Sequence, residues 1–172
     1  MGHDAKPLLI AFSGLPGTGK TTIARLLAAR LGAVYLRVDS IEGALARSTL
    51  QIAAAEDAGY LASQAVAADN LALGGTVVAD QVSADAWSRD GWRAVSQGAG
   101  CVHLDVWVFC SDEAEHRRRI TARHAADPAT PDWATVQARA FAPWSTPHLA
   151  IDTAGISPED AVANLLAALP GR

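Results

Sequence analysis

The sequence predicts an α/β domain in three layers, a parallel sheet of five strands with helices on both faces. Three observations carry this expectation. Short runs rich in β-branched and aromatic residues alternate with stretches whose apolar residues recur every three or four positions. A glycine-rich turn joins the first run to the first helical stretch. The 172 residues are 50% hydrophobic and 19% charged, enough apolar surface for one core, so positions 1–172 read as one domain.

The first run is Leu8-Leu9-Ile10-Ala11-Phe12; after the turn, Ile23, Leu26, Leu27 and Leu31 mark a helix that Gly32 closes. Val34 to Val38 is the second strand and ends at Asp39. Ala-rich segments from Ile41 to Leu73 predict two helices, and Thr76-Val77-Val78-Ala79 a third strand ending at Asp80. Ser83 reads as the N-cap of a helix that carries Trp87, Gly91 and Val95 on one face and stops at Gly98.

Val102 to Phe109 is apolar on both faces over its second half, as a central strand between helix layers is. It leads into Cys110-Ser111-Asp112, where Asp112 and Glu115 have capping-box spacing. The helix that follows runs to Asp127-Pro128, and Thr130-Pro131-Asp132 restarts one towards Arg139 and Phe141. Leu149-Ala150-Ile151 is a short fifth strand; Ser157-Pro158-Glu159 opens the last helix, which stops at Pro170-Gly171. Cys101 and Cys110 flank one extended strand, too far apart to pair.

Charge narrows the function classes. A net charge of −4 argues against the broad basic footprint that nucleic acid demands. No run reaches the ~18 apolar residues of a membrane span, and the first residues lack signal-peptide order, so a soluble cytoplasmic protein is expected.

Gly14-Leu15-Pro16-Gly17-Thr18-Gly19-Lys20-Thr21 matches G-x-x-x-x-G-K-[ST], and it lies between a strand and a helix. Side-chain-free positions let successive amides curl around an oxyanion while the helix N-terminus directs its positive end at the same phosphates. Lys20 adds a cation for the β- and γ-phosphates, Thr21 is placed to ligate Mg²⁺, and Thr22 can donate to the α-phosphate. ATP with Mg²⁺ is the expected ligand.

Ligands of open parallel sheets bind beyond the carboxyl ends of the strands, which puts Asp39, Asp80 and Asp112 on the same rim as this loop. Asp39 is a general base for an acceptor hydroxyl or a cap of the following helix. Asp80 is a Mg²⁺ carboxylate, a substrate hydrogen-bond acceptor or a turn cap; Asp112 is a cap. In Glu115-His116-Arg117-Arg118-Arg119-Ile120-Thr121-Ala122-Arg123, Arg119 and Arg123 share one helical face and can grip one ligand together, stabilising the transferring phosphoryl or stacking on adenine. The breaks at Pro128 and Pro131 make residues 117–140 an Arg-rich lid. The acceptor is expected between Asp39 and the segments crossing the rim, among Glu42, Arg47, Tyr60, Gln81, Trp87, Arg89, Trp92 and Arg139. Five of the ten aromatic residues are tryptophan, which suits a ring-bearing acceptor.

With these residues placed, the chain resembles the small P-loop kinases grouped around chloramphenicol phosphotransferase, zeta toxin and the kinase domain of polynucleotide kinase. These are kinase-like, AAA-type ATP-binding proteins, and the chloramphenicol phosphotransferase-like branch is the nearest match. Val38-Asp39-Ser40-Ile41-Glu42 resembles that branch's Val-Asp-Ser segment; Val77 to Asp80, Val108 to Asp112 and Ile151-Asp152-Thr153 resemble its later strand ends. The resemblance implies sheet order 2-3-1-4-5, Asp39 as the base, Arg119 and Arg123 as lid arginines, and Asp152 and Thr153 at the adenine site. The chain departs from the antibiotic enzyme where Ala79-Asp80-Gln81 stands for an Asp pair, and in a longer lid with Pro131-Asp132-Trp133 and Pro143-Trp144.

The function expected is an ATP- and Mg²⁺-dependent phosphotransferase acting on a hydroxyl of a small molecule, a monomer or homodimer without nucleic-acid or membrane partners. The alternatives are a nucleoside or nucleotide kinase, for which Arg47 is the only arginine within 41–65, and an ATP-binding regulatory protein that hydrolyses slowly and transfers to nothing.

Overall fold

A computed structural model describes residues 6–49 and 54–169. Its strands are β1 (Leu8–Ser13), β2 (Val34–Arg37), β3 (Thr76–Asp80), β4 (Val102–Phe109) and β5 (Leu149–Asp152). They pair in parallel in the order β2-β3-β1-β4-β5, the order implied by the family resemblance. The helices are α1 (Lys20–Leu31), α2 (Val38–Ala46), α3 (Ala58–Ala72), α4 (Ala86–Ala99), α5 (Glu113–Ala126), α6 (Trp133–Ala138) and α7 (Pro158–Ala168).

All six residues of β1 are buried, which is why the run does not alternate with polar residues: both faces are covered. Ile10 and Phe12 pack with Ile23 and Leu27 of α1, Val106 and Val108 of β4 and Leu165 of α7. Leu9 and Ala11 face the opposite layer, with Val77, Ala79, Leu71 of α3 and Trp92 of α4. Trp92 is fully buried, so truncating it to Ala would cost about 3–5 kcal/mol.

Helix ends follow local chemistry. Gly32 closes α1 in the left-handed region, where its missing Cβ removes the steric penalty. Ser157 caps α7 by accepting from the Asp160 amide, with Pro158 in the first turn; the expected stop at Pro170-Gly171 lies outside the described residues. Asp112 caps α5 by accepting from the Glu115 amide, but Glu115 turns to Arg119, so only half the box forms.

Three expectations need correction. The N-cap of α4 is Asp85, which accepts from the Ser88 amide, while Ser83 is a buried residue at φ 41 two positions earlier. The helix ends at Gly100 rather than Gly98, because it is Gly100 that adopts the left-handed conformation. The centre of the sheet is β1, with β4 beside it; Trp107 and Phe109 are only half-buried and stack on each other, since a non-helical segment carrying Phe141 and His148 lies against Trp107. Cys101 and Cys110 are free thiols at the two ends of β4.

Candidate phosphate and acceptor site

The loop from Gly14 to Gly19 leaves the carboxyl end of β1, between β3 and β4. Gly14 is tied there by its N–H, which donates to Val82 O at 3.0 Å; a Cβ at this position would come within 2.2 Å of Val108 O, so only glycine lets the chain pass β4 so closely. Thr18 Oγ1 donates back to Leu15 O at 2.9 Å and tightens the turn. His116 Nε2 lies 2.8 Å from Pro16 O, and a Cβ on Gly17 would strike the Ile120 side chain, so α5 sits directly on the loop.

Lys20 opens α1 and is buried. Burial pulls its ammonium below its ordinary value, while Asp80 and then Asp39 pull it back up. Asp80 ends β3 level with Phe12 and is 1% exposed. Its Oδ2 accepts from Tyr35 Oη at 2.7 Å and lies 3.8 Å from Arg37 Nε, whereas its Oδ1 is buried without a hydrogen-bond partner. Burial first and this hydrogen bond next push the Tyr35 hydroxyl far up from its ordinary value.

Among the described residues three cavities touch the loop: one, lined by Leu15, Thr18, Trp107 and Phe141, is apolar, and the other two hold residues expected at the site. The first of those two, of about 350 Å³, is lined by Pro16, Lys20, Val38, Asp39, Glu42, Tyr60, Val82, Arg123, Pro131 and Arg139. Asp39 lies in the first turn of α2, two residues past the end of β2, and Arg37 Nη2 donates to its Oδ2 at 2.8 Å. Burial and then the neighbouring Asp39 charge push the Glu42 carboxyl up. Tyr60 Oη accepts from the Ser83 amide at 3.1 Å, and burial raises this hydroxyl too. The second cavity, of about 270 Å³, is lined by Gly19, Thr22, Ile23, Arg119, Thr153, Ile156, Ser157 and Pro158. Asp152 Oδ1 accepts from the Ser111 and Ala154 amides, which joins the end of β5 to the end of β4.

The two lid arginines line different cavities. Arg119 donates to Thr153 Oγ1 at 2.9 Å and Thr153 O at 3.0 Å, and lines the second cavity; Arg123, one turn on, lines the first. Of the acceptor candidates, Asp39, Glu42, Tyr60 and Arg139 meet in one cavity. Arg47 does not: it is exposed and lies back along α2, its Nη1 3.3 Å from where a Gly43 Cβ would be. Gln81 is buried, and neither it nor Arg47 lines that cavity. Trp87 is 53% exposed and packs edge-on with Tyr60, Trp92 is core, and Arg89 is a buried structural tie.

Tyr35, Arg37, Val82, Ile156 and His116 were not singled out from the sequence. Tyr35 and Arg37 alternate along β2 and pair with Val78 and Asp80 of β3, so period-two reasoning would have found them once the β2-β3 register was known.

A family model described as an AAA domain matches residues 9–143. No curated protein sequence matches the chain. Among solved structures, the chain is similar to the Mycobacterium tuberculosis APS kinase CysC in complex with AMPPNP and APS, at TM-score 0.70 and 19% identity, covering 95% of this chain and 97% of that one. It is similar to a gluconokinase from Sinorhizobium meliloti 1021 at TM-score 0.66 and 19% identity, over 95% and 91%. It is also similar to Chaetomium thermophilum Kti12 in complex with ADP-AlF3 at TM-score 0.68 and 21% identity, over 95% and 100%. These likenesses give the fold, that of the P-loop NTPases. Among the described residues no helix is long and apolar enough to cross a membrane.

Proposed function

This chain belongs to the AAA domain family, and from that premise we propose that it is an ATP-dependent phosphotransferase whose acceptor is a hydroxyl of a small molecule. Its Val38-Asp39-Ser40 segment resembles that of the chloramphenicol phosphotransferase-like kinases, which supports this reading. One observation carries the reading: the cavity that holds Lys20 of the phosphate loop also holds Asp39, with Glu42, Tyr60, Arg123 and Arg139 around it. The lysine expected at the β- and γ-phosphates and the expected proton acceptor thus line one cavity.

In this reading the nucleotide base occupies the cavity by Arg119 and Thr153, and the phosphates follow the amides of Gly17 to Thr21 towards Lys20. The acceptor oxygen gives its proton to the Asp39 carboxylate and bonds to the γ-phosphorus while the bond from that phosphorus to the β–γ bridging oxygen breaks. ADP and the phosphorylated acceptor result. Arg123 offsets the charge on the transferring oxygens, and residues 117–140 act as the lid.

The residues suit a divalent cation: Asp80 has a buried oxygen without a partner on the rim, and Thr21 opens the same helix as Lys20. Thr21 and Asp80 would hold Mg²⁺, which when bound neutralises phosphate charge. The test is a screen of hydroxyl-bearing metabolites and antibiotics for ADP release and the mass gain of one phosphate, with Lys20→Ala and Asp39→Asn as controls. Lys20→Ala should abolish tight ATP binding. Asp39→Asn should keep it and lose transfer by ~10²-fold or more; an unchanged rate in Asp39→Asn removes the aspartate from the mechanism.

A further inference from the structure

Arg37 is the last residue of β2, and its guanidinium lies between two carboxylates from different elements. Nη2 donates to Asp39 Oδ2 at 2.8 Å, and Nε lies 3.8 Å from Asp80 Oδ2, buried and without a hydrogen-bond partner. Asp80 is itself fixed by Tyr35 from the same strand. The β2-β3 register sets Arg37 opposite Asp80, so the guanidinium is anchored by sheet geometry and not only by its own rotamer.

Asp39 is held on one side only. No described residue donates to its Oδ1, while its side chain lines the acceptor cavity. A planar fork that engages one carboxylate oxygen restrains the group's rotation, which a flexible ammonium does less well. As stabilisation of the fold the pair contributes little, since both side chains are partly exposed, at 31% and 43%.

We infer that Arg37 is a positioning residue for phosphoryl transfer: by occupying Oδ2 of Asp39 it leaves Oδ1 as the oxygen that receives the acceptor's proton. The inference rests on Asp39 being the base. Arg37 lines neither cavity and acts through Asp39.

The test uses the full chain with Mg·ATP and water as the probe acceptor, read as single-turnover ADP formation, with nucleotide affinity and the thermal midpoint measured alongside. Arg37→Ala should slow hydrolysis by about tenfold or more, because small displacements of a reacting group are costly. Nucleotide affinity should stay within about twofold. In the Asp39→Asn background the same change should have no further effect, since a residue that acts through another has nothing left to position. Arg37→Lys, which keeps the charge and loses the fork, should fall between wild type and Arg37→Ala.

Equal losses from Arg37→Ala in both backgrounds would overturn the inference, as would a wild-type rate in Arg37→Ala or in Arg37→Lys. Each of those results leaves the base assignment standing if Asp39→Asn alone is slow. A wild-type rate in Asp39→Asn instead removes the base, and this inference with it.

Discussion

Ile120 of α5 occupies the space that Gly17 leaves empty: a Cβ on Gly17, at φ +79, would lie 2.5 Å from Ile120 Cδ1. The arginine-bearing helix and the phosphate loop are thus in contact through a missing side chain. Gly17→Ala should lower the thermal midpoint by a few degrees, because a left-handed alanine costs roughly 1–2 kcal/mol before any clash. ATP affinity should fall at least about tenfold by calorimetry as the amide nest opens. Because Ile120→Ala by itself empties a fully buried site, the coupling is read as a cycle: Gly17→Ala should lower the midpoint less in the Ile120→Ala background than in wild type, since the clash is then gone and the backbone strain remains.

Arg119 and Arg123 should give different kinetic signatures, since they line different cavities. Arg119→Ala should raise the ATP dissociation constant about tenfold or more, because Arg119 ties the Thr153 loop to α5 beside Gly19. Arg123→Ala should leave that constant within about threefold and reduce kcat by ~10²-fold or more, as loss of a group felt chiefly in the transition state does. Equal effects on both parameters from both variants would contradict the division.

Arg89 should prove structural. Buried in α4, it donates to Ser83 O, Ala84 O, Ala142 O and Pro143 O and stacks on Phe141 and Trp144. Arg89→Ala leaves several of these carbonyls unpaired, at a cost of about 3 kcal/mol, or ~6–12 °C in thermal midpoint for a chain of this size. Substrate affinity measured on the fraction that remains folded should stay near wild type.

Acid should weaken the end of the sheet. Hydrogen bonds from Ser111 and then the Ala154 amide hold the Asp152 carboxyl below its ordinary 3.8. A carboxyl lowered by folding binds more protons in the unfolded chain, so its stabilisation is complete above 3.8 and is lost as pH falls through the lower folded value. Wild type should therefore exceed Asp152→Asn in thermal midpoint at pH 6, and the gap should close between pH 4 and 2.5. A gap constant across that range would show that the charge contributes nothing.

Features carried by contiguous residues were legible before any folding was known. The alternation of strand and helix, the loop from Gly14 to Thr21 and the caps at Asp112 and Ser157 could all be read locally, because turn chemistry, capping and apolar period each need only a few neighbours. The rim location of Asp39 and Asp80 followed from one general rule about parallel sheets. Local reading misplaced the start of α4, where Ser83 and Asp85 are both acceptable caps and only the path of the chain selects one.

Tertiary structure decided which of those residues meet. Tyr35 and Asp80 are 45 positions apart and are joined by the β2-β3 register, which depends on how distant segments pack and not on either segment alone. The same packing set Arg37 between two carboxylates, placed Arg119 and Arg123 in different cavities, and left Arg47 in solvent and Gln81 buried. A residue type states what chemistry a side chain can do, and only the fold states what it is close enough to act upon.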